Sequence, residues 1–151
     1  MKGKAFKFGD NISTDHIAPG RLFHLRSDLQ EFAKHVLEDA DENFAKNMNK
    51  GDFVVAGNNF GLGSSREHAP QIIKIAGVGA VIAKSFARIF YRNAINIGLL
   101  AIECDTDGID AGDELDLDIK AGTLKNLTKG TITAIEPLPD VMIKLLRDGA
   151  V

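Results

Sequence analysis

The sequence predicts an α/β fold in which a parallel βαβ core is followed by antiparallel strands. Between Phe53 and Ile102, short apolar runs alternate with segments of helical periodicity, the pattern of consecutive βαβ units. Further along, Leu115–Ile119 alternates strictly between apolar and acidic residues, as a strand with one solvated face does. A length of 151 residues with 44% hydrophobic content suits one domain, 1–151, with its own core.

Each element follows from its own pattern. Apolar residues spaced i, i+3, i+4, i+7 predict four helices, over 29–36, 69–76, 86–97 and 138–145. Continuous apolar runs predict buried strands at 53–56, 80–83 and 99–102, and shorter β-type patterns predict strands at 5–8, 115–119 and 131–135.

Composition and charge exclude several classes of protein. A formal net charge of −3 argues against a general nucleic-acid binder. No apolar run approaches the roughly 20 residues that a membrane span needs, and the N-terminal residues do not resemble a secretory signal. The single cysteine, Cys104, predicts a reducing, cytoplasmic environment without disulfides. One thiol also cannot anchor an iron–sulfur cluster, which takes about four ligands.

Charge is unevenly distributed along the chain. Residues 57–98 contain five Lys or Arg and a single acid, Glu67, whereas residues 103–118 contain eight acids and no Lys or Arg. Two interpretations stay open: two solvated faces, or an anion site within the basic central segment.

The most informative segment is the glycine-rich stretch from Ala56 to Pro70, which follows a predicted strand and opens a predicted helix. Glycines allow tight turns, the start of a helix attracts anions, and Arg66 can grip a carboxylate or phosphate with two hydrogen bonds. A structural explanation competes with this one. Ser64-x-x-Glu67 has the spacing of a capping box, in which Ser64 caps the helix and Glu67 reaches back.

Three blocks together resemble a known family. GLGSSREH at 61–68, KSFARIFYRN at 84–93 and GDNISTDHI at 9–17 are similar to the swivelling domain of aconitase-superfamily hydro-lyases, in the same order along the chain. The resemblance covers essentially the whole sequence. It implies a three-layer β/β/α swivelling domain and a reversible dehydration and rehydration of a hydroxy-di- or tricarboxylate. A free-standing chain of this size resembles the small subunits of the two-subunit members.

The resemblance also implies a partner and site residues. The family's [4Fe–4S] cluster would be held by a large subunit, so no metal ligand is expected in this chain. By position, Ser64 would be the catalytic base, and Ser65 and Arg66 would hold a substrate carboxylate. Asp15 and His16 are candidates for ordering the loop, with a catalytic role for His16 as the alternative. Arg26 lies where the family carries its substrate-recognition loop, and would bind a distal carboxylate.

Three hypotheses about function follow. The leading one is the small subunit of an isopropylmalate-type dehydratase. A homoaconitase- or aconitase-like small subunit acting on a tricarboxylate is the close alternative, favoured by Arg26, because a guanidinium facing an isopropyl group would be left unpaired. A stand-alone anion- or nucleotide-binding module is the alternative from another class. Such a module would bind its ligand alone, whereas the enzyme requires a cysteine-rich partner.

Overall fold

A computed structural model describes residues 1–64 and 66–147, with side chains as far as residue 144. In chain order, the elements are β1 (Lys2–Lys7), α1 (Thr14–Ile17), a 3-10 helix (Gly20–Ser27), α2 (Leu29–Ala33), α3 (Phe44–Asn47), β2 (Phe53–Ala56), α4 (His68–Ala76), β3 (Ala80–Ala83), α5 (Arg88–Asn96), β4 (Ala101–Glu103), β5 (Glu114–Asp118), β6 (Thr123–Asn126), β7 (Thr131–Ala134) and α6 (Asp140–Arg147).

The strands form one mixed sheet in the order β4-β3-β2-β1-β5-β6-β7. β4, β3, β2 and β1 are parallel, whereas β1, β5, β6 and β7 pair antiparallel. β1 joins the halves because Ala5–Lys7 pair with β2 and Lys2–Lys4 pair with β5. The predicted parallel core followed by antiparallel strands is confirmed.

Two hydrophobic cores separate three layers. On β2, Val54 and Ala56 face the helices, whereas Phe53 and Val55 face the antiparallel half of the sheet, as the two-residue period of a strand requires. The sheet curls so that its ends approach each other, and the Glu136 N–H donates to the Glu103 carbonyl at 2.9 Å. The result is the predicted β/β/α layering, with helices outside the parallel half and the second core inside the curl.

Differences from the predicted elements are local. The helix predicted over 29–36 is α-helical only to Ala33, because the backbone beyond it switches to turns with i+3 hydrogen bonds. Leu37, with a left-handed φ of 57°, then turns away and donates its N–H to the Ile17 carbonyl at 2.9 Å. Helices α1 and α3, the 3-10 helix and β6 were not predicted; most are too short to show a clear period. None of the helices in the described ranges is long and apolar enough to cross a membrane.

The parallel half positions the site. The carboxyl ends of β1, β2 and β3 lie at one edge of the sheet, and the loops that leave them carry the sequence blocks singled out above. In open sheets with parallel strands, ligands bind outside this edge. The candidate residues are therefore expected to converge there.

Candidate active site

Main-chain hydrogen bonds bring the three sequence blocks together. The Gly57–Glu67 loop, which leaves β2, receives the N-terminal block through Gly61 N–H to the Ile12 carbonyl at 2.7 Å. On its other side, the Ala87 N–H donates to the Phe60 carbonyl at 2.9 Å, just before α5 begins. Segments far apart in the sequence therefore hold this loop from two sides.

Gly61 is the point at which the loop packs against the Phe90 ring of α5. Its φ is +88°, in the left-handed region, and a Cβ built there would lie 2.3 Å from Cγ of the Phe90 ring. Phe90 is buried on α5 and packs edge to face against Phe60 at 5.3 Å. Only glycine satisfies both the backbone angle and the contact with the ring.

Ser64 is exposed at the edge of the sheet and is held by its neighbours. The Thr14 hydroxyl donates to the Ser64 carbonyl at 3.0 Å, which fixes the backbone. The Arg66 Nε donates to the Ser64 hydroxyl oxygen at 3.2 Å. Since a guanidinium that donates to a hydroxyl oxygen stabilises its alkoxide, this contact favours Ser64 as a proton acceptor. Ser65, the predicted partner in carboxylate binding, lies outside the described residues.

The predicted capping box at Ser64 and Glu67 is wrong. Helix α4 begins at His68, its N-cap is Glu67 in a helical conformation, and no side chain caps it. Ser64 therefore precedes the helix by too many residues to reach its first N–H groups. A capping box is found at α1 instead, between Ser13 and His16.

Arg66 is the most connected polar side chain of the site. Its Nη2 lies 2.6 Å from Oδ1 of Asp15, and its Nη1 donates to the Ala18 carbonyl at 3.2 Å. The Arg66 side chain is 20% exposed, whereas that of Asp15 is 64% exposed. Exposed ion pairs are weak. A substrate carboxylate can therefore take the place of Asp15 on a guanidinium that is already oriented.

His16 organises the start of the site. The ring Nδ1 of His16 accepts a hydrogen bond from the Ser13 backbone N–H at 2.9 Å. The backbone N–H of His16 donates to the Ser13 hydroxyl at 3.2 Å. His16 is thus part of the cap of α1, and Asp15 pairs with Arg66; the loop-ordering role of both residues stays a prediction.

A cleft of about 200 Å³ lies between the Gly57–Glu67 loop, Thr14 and the start of α5. Ser64 and Arg66 line one side, and Arg88 and Asn93 line the other. No role was predicted for these two α5 residues; the excess of positive charge over 57–98 was a signal for Arg88, and none pointed to Asn93. The N-cap of α5, Ala87, offers no side-chain acceptor, so the helix presents its first N–H groups and Arg88 to an anion.

Arg26 does not line this cleft in the described structure, but it lies close by on the 3-10 helix. Its guanidinium sits 4.3 Å above the centre of the Phe23 ring and its Nη1 donates to the Phe23 carbonyl at 3.1 Å. The Arg66 guanidinium lies 5.5 Å from the centre of the same ring. Both predicted carboxylate-binding arginines therefore contact the same aromatic side chain.

The chain does not fit an iron–sulfur cluster of its own. In the ranges that the structure describes, no three His, Cys, Asp or Glu side chains are grouped as metal ligands. Cys104 is buried, and burial, helped by Asp105, raises the pKa of its thiol to about 11. A protonated, buried thiol is a poor ligand, because clusters bind thiolates.

Known proteins are similar to this chain over most of its length. The model of the aconitase C-terminal domain family matches residues 10–107, which include the N-terminal block, the Gly57–Glu67 loop and α5. A protein of Archaeoglobus fulgidus named 3-isopropylmalate dehydratase small subunit 2 is 63% identical over 149 residues, covering 99% of this chain and 90% of that protein. One of Thermotoga maritima, named 3-isopropylmalate dehydratase small subunit 1, is 61% identical and covers 100% of this chain and 92% of its own length.

The fold agrees as well. The crystal structure of a 3-isopropylmalate dehydratase (leuD) from Methanocaldococcus jannaschii superimposes with a TM-score of 0.92 at 46% identity, over 99% of this chain and 89% of that one. The resemblance inferred from the three sequence blocks is thereby confirmed. This chain belongs to the aconitase C-terminal domain family.

Proposed function

We propose that this chain is the small subunit of a two-subunit hydro-lyase that isomerises 3-isopropylmalate by dehydration and rehydration, a reaction of leucine biosynthesis. The observation that carries the proposal is 63% identity to a protein named as such a small subunit, over 99% of this chain. The enzyme class is shared by the relatives, and their names imply a large subunit. Neither the substrate nor the partner is present in the structure.

The proposed chemistry uses the site as it stands. Ser64 removes a proton from the carbon next to a substrate carboxylate, and the Arg66 guanidinium beside it stabilises the serine anion. Arg66 also binds that carboxylate in exchange for Asp15, with Ser65 as its proposed helper. Arg88 and the start of α5 add positive potential on the opposite wall of the cleft.

The [4Fe–4S] cluster is proposed to lie in a large, cysteine-rich subunit. The support is the chemistry of Cys104 described above, together with the general dependence of the aconitase family on iron and sulfur. The cytoplasm is the proposed location, since clusters and single free thiols both suit a reducing compartment.

The first test is reconstitution. We expect the purified chain alone to fold but to show no iron–sulfur absorbance and no dehydration of 3-isopropylmalate, because it lacks the thiolates of a cluster. Anaerobic reconstitution with the large subunit of the same organism should give turnover, which is measured by the absorbance of the unsaturated acid. Robust turnover by the lone, metal-free chain would contradict the two-subunit proposal. Binding of a nucleotide by the lone chain would favour the stand-alone module.

A second candidate function is supported by one observation. Arg26 is exposed on the 3-10 helix and contacts the same Phe23 ring as Arg66, which supports a role for Arg26 in binding a second, distal carboxylate. An arginine facing an isopropyl group would pay for desolvation without an ion pair. The second candidate is therefore a homoaconitase-like enzyme that acts on tricarboxylates, beside the isopropylmalate dehydratase.

The substitution Arg26→Val separates these alternatives. We expect it to lower kcat/KM for homoaconitate or citrate and to raise it for 3-isopropylmalate, because it removes a charge and adds an apolar surface. A fully desolvated, charge-assisted contact predicts a change in the ratio of about tenfold or more. The matched control is His24→Gln, an exposed position on the same 3-10 helix. An unchanged ratio of kcat/KM values in Arg26→Val would show that Arg26 does not select the substrate.

A further inference from the structure

His68 carries an unexplained polar atom next to the site. Its Nε2 is buried and has no hydrogen-bond partner in the described part of the chain. Buried polar atoms are nearly always paired, so an unpaired one calls for a physical reason. His68 is the first residue of α4, directly after the loop that carries Ser64 and Arg66.

The His68 ring lies between two aromatic rings from different elements. It stacks on Phe32 of α2 with ring centres 5.5 Å apart and an angle of 27° between the planes. The Phe23 ring of the 3-10 helix lies 5.6 Å away and is tilted by 58°. Phe32 is fully buried, whereas Phe23 is 41% exposed. The imidazole therefore connects a surface ring to the core.

Phe23 in turn supports both arginines of the proposed carboxylate site. The guanidinium carbons of Arg26 and Arg66 lie 4.3 and 5.5 Å from its ring centre. An aromatic face attracts a cation within about 6 Å. The Phe23 ring thus attracts both guanidiniums, and its position contributes to where Arg66 and Arg26 lie, beside the hydrogen bonds that Arg66 makes to Ser64 and Ala18.

We propose that His68 is a positioning residue whose neutral imidazole holds Phe23, and through Phe23 the guanidiniums of Arg66 and Arg26, in the arrangement that binds substrate carboxylates. The statement about substrate rests on the proposed function. The stacking of His68 between Phe32 and Phe23 does not rest on it, because these contacts are present in the structure of this chain. His68 touches neither the reacting atoms nor the substrate in this scheme.

The surroundings of His68 favour its neutral form. Burial lowers the pKa of His68, and the positive charges of Arg66 and Arg26 lower it further, against a smaller opposing effect of Glu67. From α2 it faces the Phe32 ring. In the imidazolium, Nε2 would carry a proton without an acceptor, and the new charge would repel the two guanidiniums. Protonation must therefore weaken the arrangement around Phe23.

The sign of the pH dependence follows. Above the ordinary histidine pKa of 6.5, His68 is neutral in both the folded and unfolded chain and the stack is intact. As the pH falls below 6.5, the unfolded chain binds the proton first, so the folded state loses relative stability, and the loss is complete below the lowered folded pKa. Carboxylate binding should weaken only where the folded chain itself takes up the proton, at and below the lowered pKa of His68.

The kinetic test uses the reconstituted two-subunit enzyme and the variant His68→Phe, which keeps an aromatic ring but cannot titrate. Between pH 7.5 and a pH below the His68 midpoint, which the spectroscopic arm measures, we expect KM of the wild type to rise about two- to thirtyfold more than KM of the variant, the range that loss of a cation–aromatic contact predicts. The effect should appear in KM, because carboxylates bind through Arg66 and Arg26, and also in kcat, because Arg66 donates to the Ser64 hydroxyl. His24→Gln, the matched histidine control, should keep the wild-type profile. Identical pH profiles of KM in the wild type and His68→Phe would overturn the proposal.

A spectroscopic arm needs no turnover. In the ¹⁵N-labelled wild-type chain, the His68 ring and the Nε signals of Arg66 and Arg26 should shift with one common midpoint below pH 6.5, and the two arginine signals should be static in His68→Phe. If the arginine signals of the wild type did not shift as His68 titrates, the positioning role would be overturned, even if the variant failed to fold. Shared titration in a chain whose complex turns over no hydroxy acid would support the positioning role and refute the proposed function.

Discussion

Replacing Ser64 with alanine is expected to lower kcat of the reconstituted enzyme by about 10²–10⁴-fold, the usual loss when a general base is removed. The stability should change by less than about 1 kcal/mol, because the side chain is exposed and loses only a hydrogen bond from Arg66. Steady-state kinetics of the complex and urea unfolding of the chain measure the two effects separately.

The matched control is Ser85→Ala. The Ser85 hydroxyl accepts the Asn59 N–H at 2.8 Å, at the base of the same loop, but Ser85 does not line the cleft. This variant removes a comparable hydrogen bond without removing the proposed base. We therefore expect a similar or larger loss of stability with kcat near that of the wild type. If Ser64→Ala kept its activity and merely unfolded earlier, Ser64 would have a structural role only.

The largest effect on folding is expected for Gly61→Ala. The substitution forces a Cβ into the left-handed region at φ +88° and to within 2.3 Å of the Phe90 ring. The backbone term costs about 1–2 kcal/mol, and overpacking of a buried contact typically adds about 1–3 kcal/mol. Thermal unfolding should show a fall in Tm of roughly 4–20 °C for a chain of this size.

Gly108→Ala is the control for this prediction. Gly108 is exposed, its φ is not in the left-handed region, and a Cβ there would meet no atom within 4 Å. Its replacement should leave Tm unchanged or raise it slightly, since alanine restricts the unfolded chain. A Gly61→Ala variant that unfolds at the same temperature as Gly108→Ala would show that the loop and Phe90 move apart at little cost.

Much of the fold could be predicted because most of its strands have a clear hydrophobic pattern in the sequence. Phe53–Ala56 and Ala80–Ala83 are uninterrupted apolar runs, as strands covered on both faces must be, and the structure has them with the predicted bounds. Strand β6 was missed because its four residues, TLKN, have neither a clear apolar run nor β-branched enrichment. The pairing partners of β1 could not be predicted from the sequence either, because they lie about 50 and 110 positions away along the chain.

The site, too, could be predicted from the sequence only in part. Arg66 and Ser64 were singled out from a local pattern, but the same pattern predicted a capping box that the structure does not contain. Ser64 and Glu67 have the spacing of a capping box, but the helix begins only at His68. Hydrogen bonds from the N-terminal block hold the backbone of the loop that precedes it. Capping depends on where the helix starts, and tertiary contacts moved that start.

The sequence alone determined the fold class, the family resemblance and the identity of the polar groups, because these depend on short-range periodicity and on residue types at fixed spacing. Only the tertiary structure decided that Asp15 pairs with Arg66, that Arg88 lines the opposite wall, and that Phe23 lies between His68 and two guanidiniums. Each of these contacts joins separate elements. Their geometry depends on how the elements pack around the cores, which no local pattern encodes.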